Sequence, residues 1–136
     1  MSAYKKVLKW KIIHDGYLDV KVVGDCMEPL LFEGDVVRIF PISKRIENGD
    51  ILVISSDNYY KIHRVVKVYG NLYITKGDNM YFGEKDISEE DIIGVYNGKN
   101  PHKKIIATLS YIEMIFFRNN TTMKTIIESA MNHLKV

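Results

Sequence analysis

Short apolar runs separated by turn residues dominate the chain up to about residue 97. Runs of this kind, rich in Val, Ile and Tyr, predict β-strands. They lie at residues 18–23, 35–40, 50–55, 59–69, 72–76 and 92–96. Gly70-Asn71 stands between two of these runs and is typical of a hairpin turn. Strands this short and this closely spaced predict a mainly β domain, built as a sandwich or a partly open barrel.

The C-terminal part of the chain changes to a helical period. One helix face is marked by apolar residues at steps of four, three and four, namely Ile105, Leu109, Ile112 and Phe116. After a polar break at residues 118–120, with Thr121 or Thr122 as the predicted cap, a second apolar stripe follows: Met123, Ile126, Ile127, Ala130, Met131 and Leu134. We expect a β domain over residues 1–97 and two amphipathic helices over residues 98–136, packed on or beside it as a single domain.

Composition narrows the function classes. With 136 residues, 46% apolar and 26% charged, the chain resembles an ordinary globular domain. Lys and Arg number 19 against 17 Asp and Glu, so the net charge is +2 and gives no electrostatic footprint for nucleic acid. A single cysteine excludes a disulfide framework and a multi-cysteine zinc site. We therefore expect no nucleic-acid partner, no metal and no cofactor.

No segment has the pattern of a transmembrane helix. The most apolar stretch, residues 105–117, is short and is interrupted by Thr108, Ser110 and Glu113. Residues 1–11 contain four lysines and no uninterrupted apolar region, which is a poor secretion signal. We expect a cytoplasmic protein with a reduced thiol. The alternative is peripheral membrane contact through the C-terminal helices, which basic residues near the first helix favour.

The single cysteine lies in a predicted turn. Residues 24–30 read Gly-Asp-Cys-Met-Glu-Pro-Leu, directly after a predicted strand. Gly24 allows a tight backbone approach and Pro29 stiffens the turn. Such a turn is suited to exposing Cys26 as a nucleophile. The alternative is a buried cysteine that acts as a small apolar residue.

Two later segments carry residues that could activate a thiol. Lys61 and His63 share one face of a strand, because side chains alternate along it. A histidine near a cysteine can take its proton, and Asp78 could orient that ring. The alternatives are a satisfied histidine without a catalytic role and a turn aspartate that bonds its own backbone. Glu84 and Asp86 follow in the sequence and compete with Asp78 for the orienting role.

In this order and spacing, the three segments resemble the signal peptidase I family and the related self-cleaving repressor peptidases of the SOS type. That family carries Gly-x-Ser-Met-x-Pro at its nucleophile, which residues 24–29 match with cysteine in place of serine. Its endoplasmic-reticulum and archaeal-like branch has His-Arg-Val and then Thr-Lys-Gly-Asp-Asn, matching residues 63–65 and 75–79. The resemblance covers roughly residues 20–97 and implies the β fold of that family.

The resemblance implies a catalytic set. Cys26 takes the place of the nucleophile, His63 is the base and Asp78 is the assigned acid. Glu84 or Asp86 competes for that role, because the family's acid lies a few residues beyond Gly-Asp-Asn. Lys61 is a rival base, because other branches use lysine. A lysine base must be buried to be neutral, whereas the ordinary pKa of histidine, about 6.5, needs a smaller change.

Backbone groups complete the predicted site. The oxyanion hole is expected at the amides of the turn residues Asp25, Cys26 and Met27. The segment before the turn is expected to bind an extended substrate by β-strand addition, through Val22, Val23 and Gly24.

The predicted activity is that of an endopeptidase acting in trans on a peptide or a leader- or signal-like segment. Only 25 residues precede Cys26, and they contain neither Ala-Gly nor a helix-turn-helix pattern, as repressor-style self-cleavage would need. Small members of this kind resemble peptidases that trim leader peptides in bacterial natural-product clusters. The alternative is a catalytically inactive peptide-binding or regulatory module on the same fold, in which cysteine has replaced serine naturally or by engineering.

Overall fold

The computed structural model describes residues 2–56, 58–116 and 121–135, with side chains for residues 125–134 in the last range. Its strands form one sheet of seven strands in the order β1-β2-β7-β3-β4-β5-β6, and neighbouring strands are antiparallel. The strands are β1 (Leu18–Lys21), β2 (Val36–Phe40), β3 (Ile51–Ser55), β4 (Tyr60–Tyr69), β5 (Leu72–Lys76), β6 (Gly83–Ile87) and β7 (Ile92–Tyr96). The predicted mainly β fold with two C-terminal helices is confirmed, as one sheet rather than the two sheets of a sandwich.

Strand β6 was not predicted. Its sequence, Gly-Glu-Lys-Asp-Ile, lacks apolar alternation, and all five of its residues are at least partly exposed. It lies at the edge of the sheet, where pairing with β5 rather than apolar burial holds it. The register sets Glu84 of β6 opposite Thr75 of β5. Glu84 therefore lies on the sheet and not on a loop.

The N-terminal segment forms a helix that the sequence pattern did not predict, α1 (Ala3–Asp15). Ser2 caps it by accepting from the Lys5 N–H at 3.1 Å, and Gly16 ends it at φ +82°, a left-handed conformation that favours glycine. Ile12 is buried against the sheet, whereas Trp10 and Ile13 face outward and are 64% and 74% exposed. Because apolar residues lie on both faces, no single helical stripe can be read from this segment.

The central strand β3 separates two apolar clusters. Ile51 and Val53 belong to one cluster, and Leu52 and Ile54 belong to the other. All five residues of β3 are buried for this reason. The first cluster also takes in side chains from the segment between β1 and β2, namely Val22, Met27 and Leu31. The turn that carries Cys26 is therefore anchored to the sheet.

The two C-terminal helices, α2 (Lys103–Phe116) and α3 (Thr121–Lys135), form a helical hairpin. The predicted inner face of α2 is partly wrong: Ile105 and Phe116 are exposed, while Leu109 and Ile112 pack towards α3. A different and partly polar face is buried, made by Ile106, Ala107, Ser110 and Glu113. The cause is a buried lysine on β5, described below, which needs polar partners.

In α3, Ile127 and Met131 are buried as the stripe predicted, and Leu134 packs beside them. Ile126 and Ala130 are exposed instead. The predicted break at residues 118–120 and the side chains of Thr121, Thr122 and Met123 lie outside the described residues. Among the residues described, no helix combines the length and the apolar character needed to cross a bilayer.

Candidate active site

The turn that carries Cys26 reverses the chain at the end of β1. Gly24 has φ +80°, a left-handed conformation that favours glycine. Met27 is completely buried in the first apolar cluster and fixes the far side of the turn. Cys26, between these two anchors, is half-buried and its thiol is free. The sequence prediction of an accessible cysteine in a constrained turn agrees with this position.

A second segment, residues 77–80, supports the turn from the opposite side; we call it the supporting loop. A β-carbon on Gly77 would lie 2.7 Å from the Cys26 carbonyl oxygen and 3.0 Å from the Cys26 β-carbon, so only glycine fits there. Asn79 donates from its backbone N–H to the carbonyl oxygen of Cys26 at 2.8 Å. Its side-chain amide donates to the carbonyl oxygen of Asp25 at 3.2 Å. The backbone of the nucleophile turn is therefore fixed by direct hydrogen bonds.

His63 lies on β4 between the thiol and a carboxylate. Its side chain is 3% exposed, and its Nδ1 is 2.6 Å from Oε1 of Glu84. The Cys26 thiol also interacts with the ring and raises its pKa. The thiol Sγ lies 3.8 Å from the carbonyl oxygen of Ile62, the residue before His63. The imidazole thus lies in hydrogen-bond range of the carboxylate and close enough to the thiol to interact with it.

The surroundings of His63 favour its protonated form. Burial alone lowers the pKa of the ring, but hydrogen bonds with Cys26 and Glu84, together with the charge of Glu84, raise it to about 9. The pKa of Glu84 is lowered: burial raises it, and the hydrogen bond and charge of His63 outweigh that effect. At pH 7 the imidazole therefore carries its proton. A cationic imidazole is a suitable partner for a thiolate, whereas a serine nucleophile needs a neutral base.

The acid beside His63 is Glu84, and not Asp78, to which the sequence had assigned this position. Thr75 donates from its hydroxyl to the same Glu84 oxygen at 2.8 Å and helps to fix the carboxylate. Asp86, the other competitor, is exposed and accepts a hydrogen bond from Tyr69. The assignment failed because β6, which carries Glu84, has no apolar pattern that would place it next to β5.

Asp78 instead forms a buried ion pair with Arg64. Its two carboxylate oxygens accept from Nε and Nη2 of Arg64, each at 2.8 Å, and both side chains are almost completely buried. Arg64 also donates through Nη1 to the carbonyl oxygen of Gly49 at 3.0 Å. Arg64 lies among apolar strand residues, and a buried arginine needs an acidic partner. This was the sequence signal that an acid such as Asp78 would pair with Arg64.

Lys61 is placed beside the site but is not buried as a lysine base needs to be. Its Nζ is 3.5 Å from Oε2 of Glu84, and its side chain is 36% exposed. The contact agrees with the predicted shared face of Lys61 and His63, and it favours His63 over Lys61 as the base.

Of the predicted substrate-binding residues, Val22 already uses its backbone groups for hydrogen bonds within the protein. Its N–H donates to Asp35 at 2.8 Å, its carbonyl oxygen accepts from Gly34 at 2.9 Å, and its side chain is buried. Gly24 donates its N–H to the side chain of Glu33 at 3.2 Å. Val23, by contrast, is 68% exposed. Val23 lies just beyond the end of β1, which is an outermost strand of the sheet.

The predicted oxyanion donors lie in the turn itself. Within the described part of the chain, none of the N–H groups of Asp25, Cys26 and Met27 donates to a protein acceptor. Free N–H groups next to a nucleophile are the donors that a developing oxyanion needs.

Comparison with known proteins agrees with the fold and with the motifs around Cys26 and His63. The model of the Peptidase S24-like family matches residues 4–75, more than half of the chain, and the protein belongs to this family. In an alignment of 98 residues that covers 60% of this chain, the identity to the signal peptidase complex catalytic subunit SEC11 of Zygosaccharomyces rouxii is 31%. The chain spans 59% of that relative's length. No solved structure matches. The resemblance predicted from the motifs is confirmed.

Proposed function

We propose that this protein is an endopeptidase that acts in trans on a peptide or a leader- or signal-like segment. Cys26 is the nucleophile, His63 the acid-base residue and Glu84 the orienting acid. The observation that carries the proposal is the buried His63 ring, which interacts with the Cys26 thiol and has its Nδ1 2.6 Å from Oε1 of Glu84. The family to which the chain belongs supports a peptidase in general.

In the proposed mechanism, the Cys26 thiol has given its proton to His63 before the substrate binds, so the pair reacts as a thiolate and a protonated imidazole. The thiolate sulfur attacks the scissile carbonyl carbon, and the carbonyl oxygen takes the electron pair and is held by the turn amides. The C–N bond breaks as His63 returns its proton to the leaving amine, which leaves a thioester on Cys26. Water, deprotonated by the now neutral His63, hydrolyses the thioester and restores the thiol.

The open edge at Val23 is proposed to bind the substrate backbone in an extended form. A peptide pairing there would run past the turn and bring its carbonyl group towards Cys26. Val22 supports this edge through its pairing with Asp35 and Gly34 and through its buried side chain.

A direct test is cleavage of an unbiased peptide mixture by the full chain, followed by mass spectrometry. We expect defined cleavage products and a thioester adduct on Cys26, and we expect both to disappear in Cys26→Ala. A folded parent that yields no product with any peptide, yet binds peptides as well as Cys26→Ala does, would support the inactive peptide-binding module instead.

Peripheral membrane contact through the C-terminal helices stays a prediction. Apolar residues exposed on α2 and α3 support it, namely Ile105, Ile115, Phe116 and Ile126. Binding to vesicles with anionic lipid should weaken as salt increases. No binding to such vesicles at low salt would exclude this contact.

A further inference from the structure

A buried ion pair connects the helical hairpin to β5. Lys76, the last residue of β5, is completely buried, and its Nζ lies 2.9 Å from Oε1 of Glu113 and 2.8 Å from Oγ of Ser110, both on α2. Glu113 is itself 4% exposed. Lysine and glutamate are rarely buried to this extent, and apolar residues of similar size often stabilise a protein as well as such a pair does. Stability alone therefore does not explain why this ion pair is buried.

The position of Lys76 along the chain indicates a second role for the pair, which is to hold the supporting loop. Lys76 directly precedes the supporting loop, which contacts Asp25, Cys26 and Met27 of the turn that carries the nucleophile. Asn79 bonds the carbonyl oxygens of Asp25 and Cys26, and the Asp78 N–H lies 3.4 Å from the sulfur of Met27. Displacement of the loop would therefore displace Cys26 relative to His63.

The other end of the loop is also attached to the hairpin. Tyr81 follows the loop directly and donates its hydroxyl to Glu128 of α3. Between these attachments lies a cavity of about 440 Å³, lined by Glu28 and Pro29, by the supporting loop and by both helices. On this side, hydrogen-bonded contacts at the two ends of the loop, rather than close packing along it, join the loop to the hairpin.

We propose that the helical hairpin positions the nucleophile turn. Glu113 and Glu128 hold the two ends of the supporting loop through Lys76 and Tyr81, and the loop sets Cys26 against His63. These four are positioning residues and do not touch the substrate. The inference rests on the proposed function in so far as Cys26 is the nucleophile. The family match ends at residue 75, just before Lys76, so it assigns no role to the hairpin.

The first test uses Glu113→Gln and Tyr81→Phe in the full chain. We expect the amide of Asn79 to exchange its hydrogen about tenfold faster, because opening of the loop becomes easier, while amides of β3 keep their protection. Alkylation of Cys26 by iodoacetamide should also slow several-fold at temperatures where the variants are folded. The matched control is Ile127→Ala, which removes a buried contact inside the hairpin without touching the loop. Equal effects of Ile127→Ala and the two test variants, at equal loss of thermal stability, would overturn the proposal.

Glu113→Gln leaves Lys76 buried beside a neutral partner and can unfold the chain, so a second variant is needed. The double variant Lys76→Met with Glu113→Leu replaces the pair by apolar residues that keep the fold. We expect its thermal midpoint to match that of the parent, while Asn79 exchange stays fast. If the double variant restores both stability and slow exchange, the pair is only structural. Asn79 exchange does not depend on catalysis, so a parent whose alkylation ignores His63 would refute the proposed function separately.

Discussion

The contact between His63 and Glu84 predicts a pH-dependent stability that can be worked out from the structure. The folded protein raises the pKa of His63 from 6.5 to about 9. At about 1.4 kcal/mol per pH unit, this difference stabilises the folded state by about 3 kcal/mol. Solvent screens this interaction little, because His63 is 2% exposed.

The sign follows from the raised pKa. The folded state prefers the protonated ring, so the contribution of His63 is fully present below pH 6.5, the unfolded value. It decreases as the pH rises, and it is lost once the pH passes about 9. Glu84, with its lowered pKa, contributes above its unfolded value of 4.5 and loses that contribution as the pH falls further. Maximal stability from this pair is therefore expected between about pH 4.5 and 6.5.

Glu84→Gln removes the charge and keeps the size of the side chain. The pKa of His63 should then fall from about 9 towards 6.5 or below, because burial still opposes the charged ring and only Cys26 continues to favour it. The stability lost between pH 6.5 and 9 should become correspondingly smaller. The control is Asp86→Asn, since Asp86 is exposed and bonds Tyr69 instead of His63.

Two measurements check this prediction. The ring proton of His63 is followed by NMR from pH 5 to 10 and assigned by its absence in His63→Ala. Urea unfolding at pH 6 and at pH 9 gives the change in the free energy of unfolding. An unchanged pKa of His63 in Glu84→Gln, or a fall in Asp86→Asn of the same size, would refute the assignment of Glu84.

Three further predictions follow from the site. Cys26→Ser should be less active at pH 7 than at higher pH, where His63 loses its proton, because Glu84 still raises the pKa of the ring; a pH–rate profile with its maximum near neutral pH would contradict this. Gly77→Ala should destabilise the fold by about 1–3 kcal/mol, because its β-carbon would lie 2.7 Å from the Cys26 carbonyl oxygen; parent-like urea unfolding and alkylation would show that the contact relaxes freely. Arg64→Met should destabilise by about 3–5 kcal/mol, because it removes the arginine that pairs with the buried Asp78 carboxylate, and a urea midpoint close to the parent's would speak against that pair.

The strands around the site could be predicted because their residues alternate or cluster by polarity. Residues 51–55 and 72–76 are apolar runs with turn residues on both sides, and their observed limits lie close to the predicted ones. The motifs around Cys26 and His63 were then sufficient to identify the family. Local pattern and motif order were sufficient for these features.

The orienting acid could not be predicted because its position depends on pairing between strands. Glu84 reaches His63 only because β6 pairs with β5, and the sequence of β6 carries no apolar signal. The buried face of α2 could not be predicted for the same reason, because Glu113 is buried through its ion pair with Lys76 of β5. In both cases a charged residue is placed by a partner far away in sequence, which no local periodicity records.

The central claim is that Cys26 and His63 act as one chemical unit. The most direct test is the rate of Cys26 alkylation by iodoacetamide against pH, in the parent and in His63→Ala. The parent should react faster at neutral pH than His63→Ala does, because a protonated His63 favours the thiolate. In His63→Ala the rate should fall at neutral pH and rise as for an ordinary thiol, with a midpoint of about 8.5. Slow alkylation in the parent, with a pH dependence that His63→Ala leaves unchanged, would contradict the account.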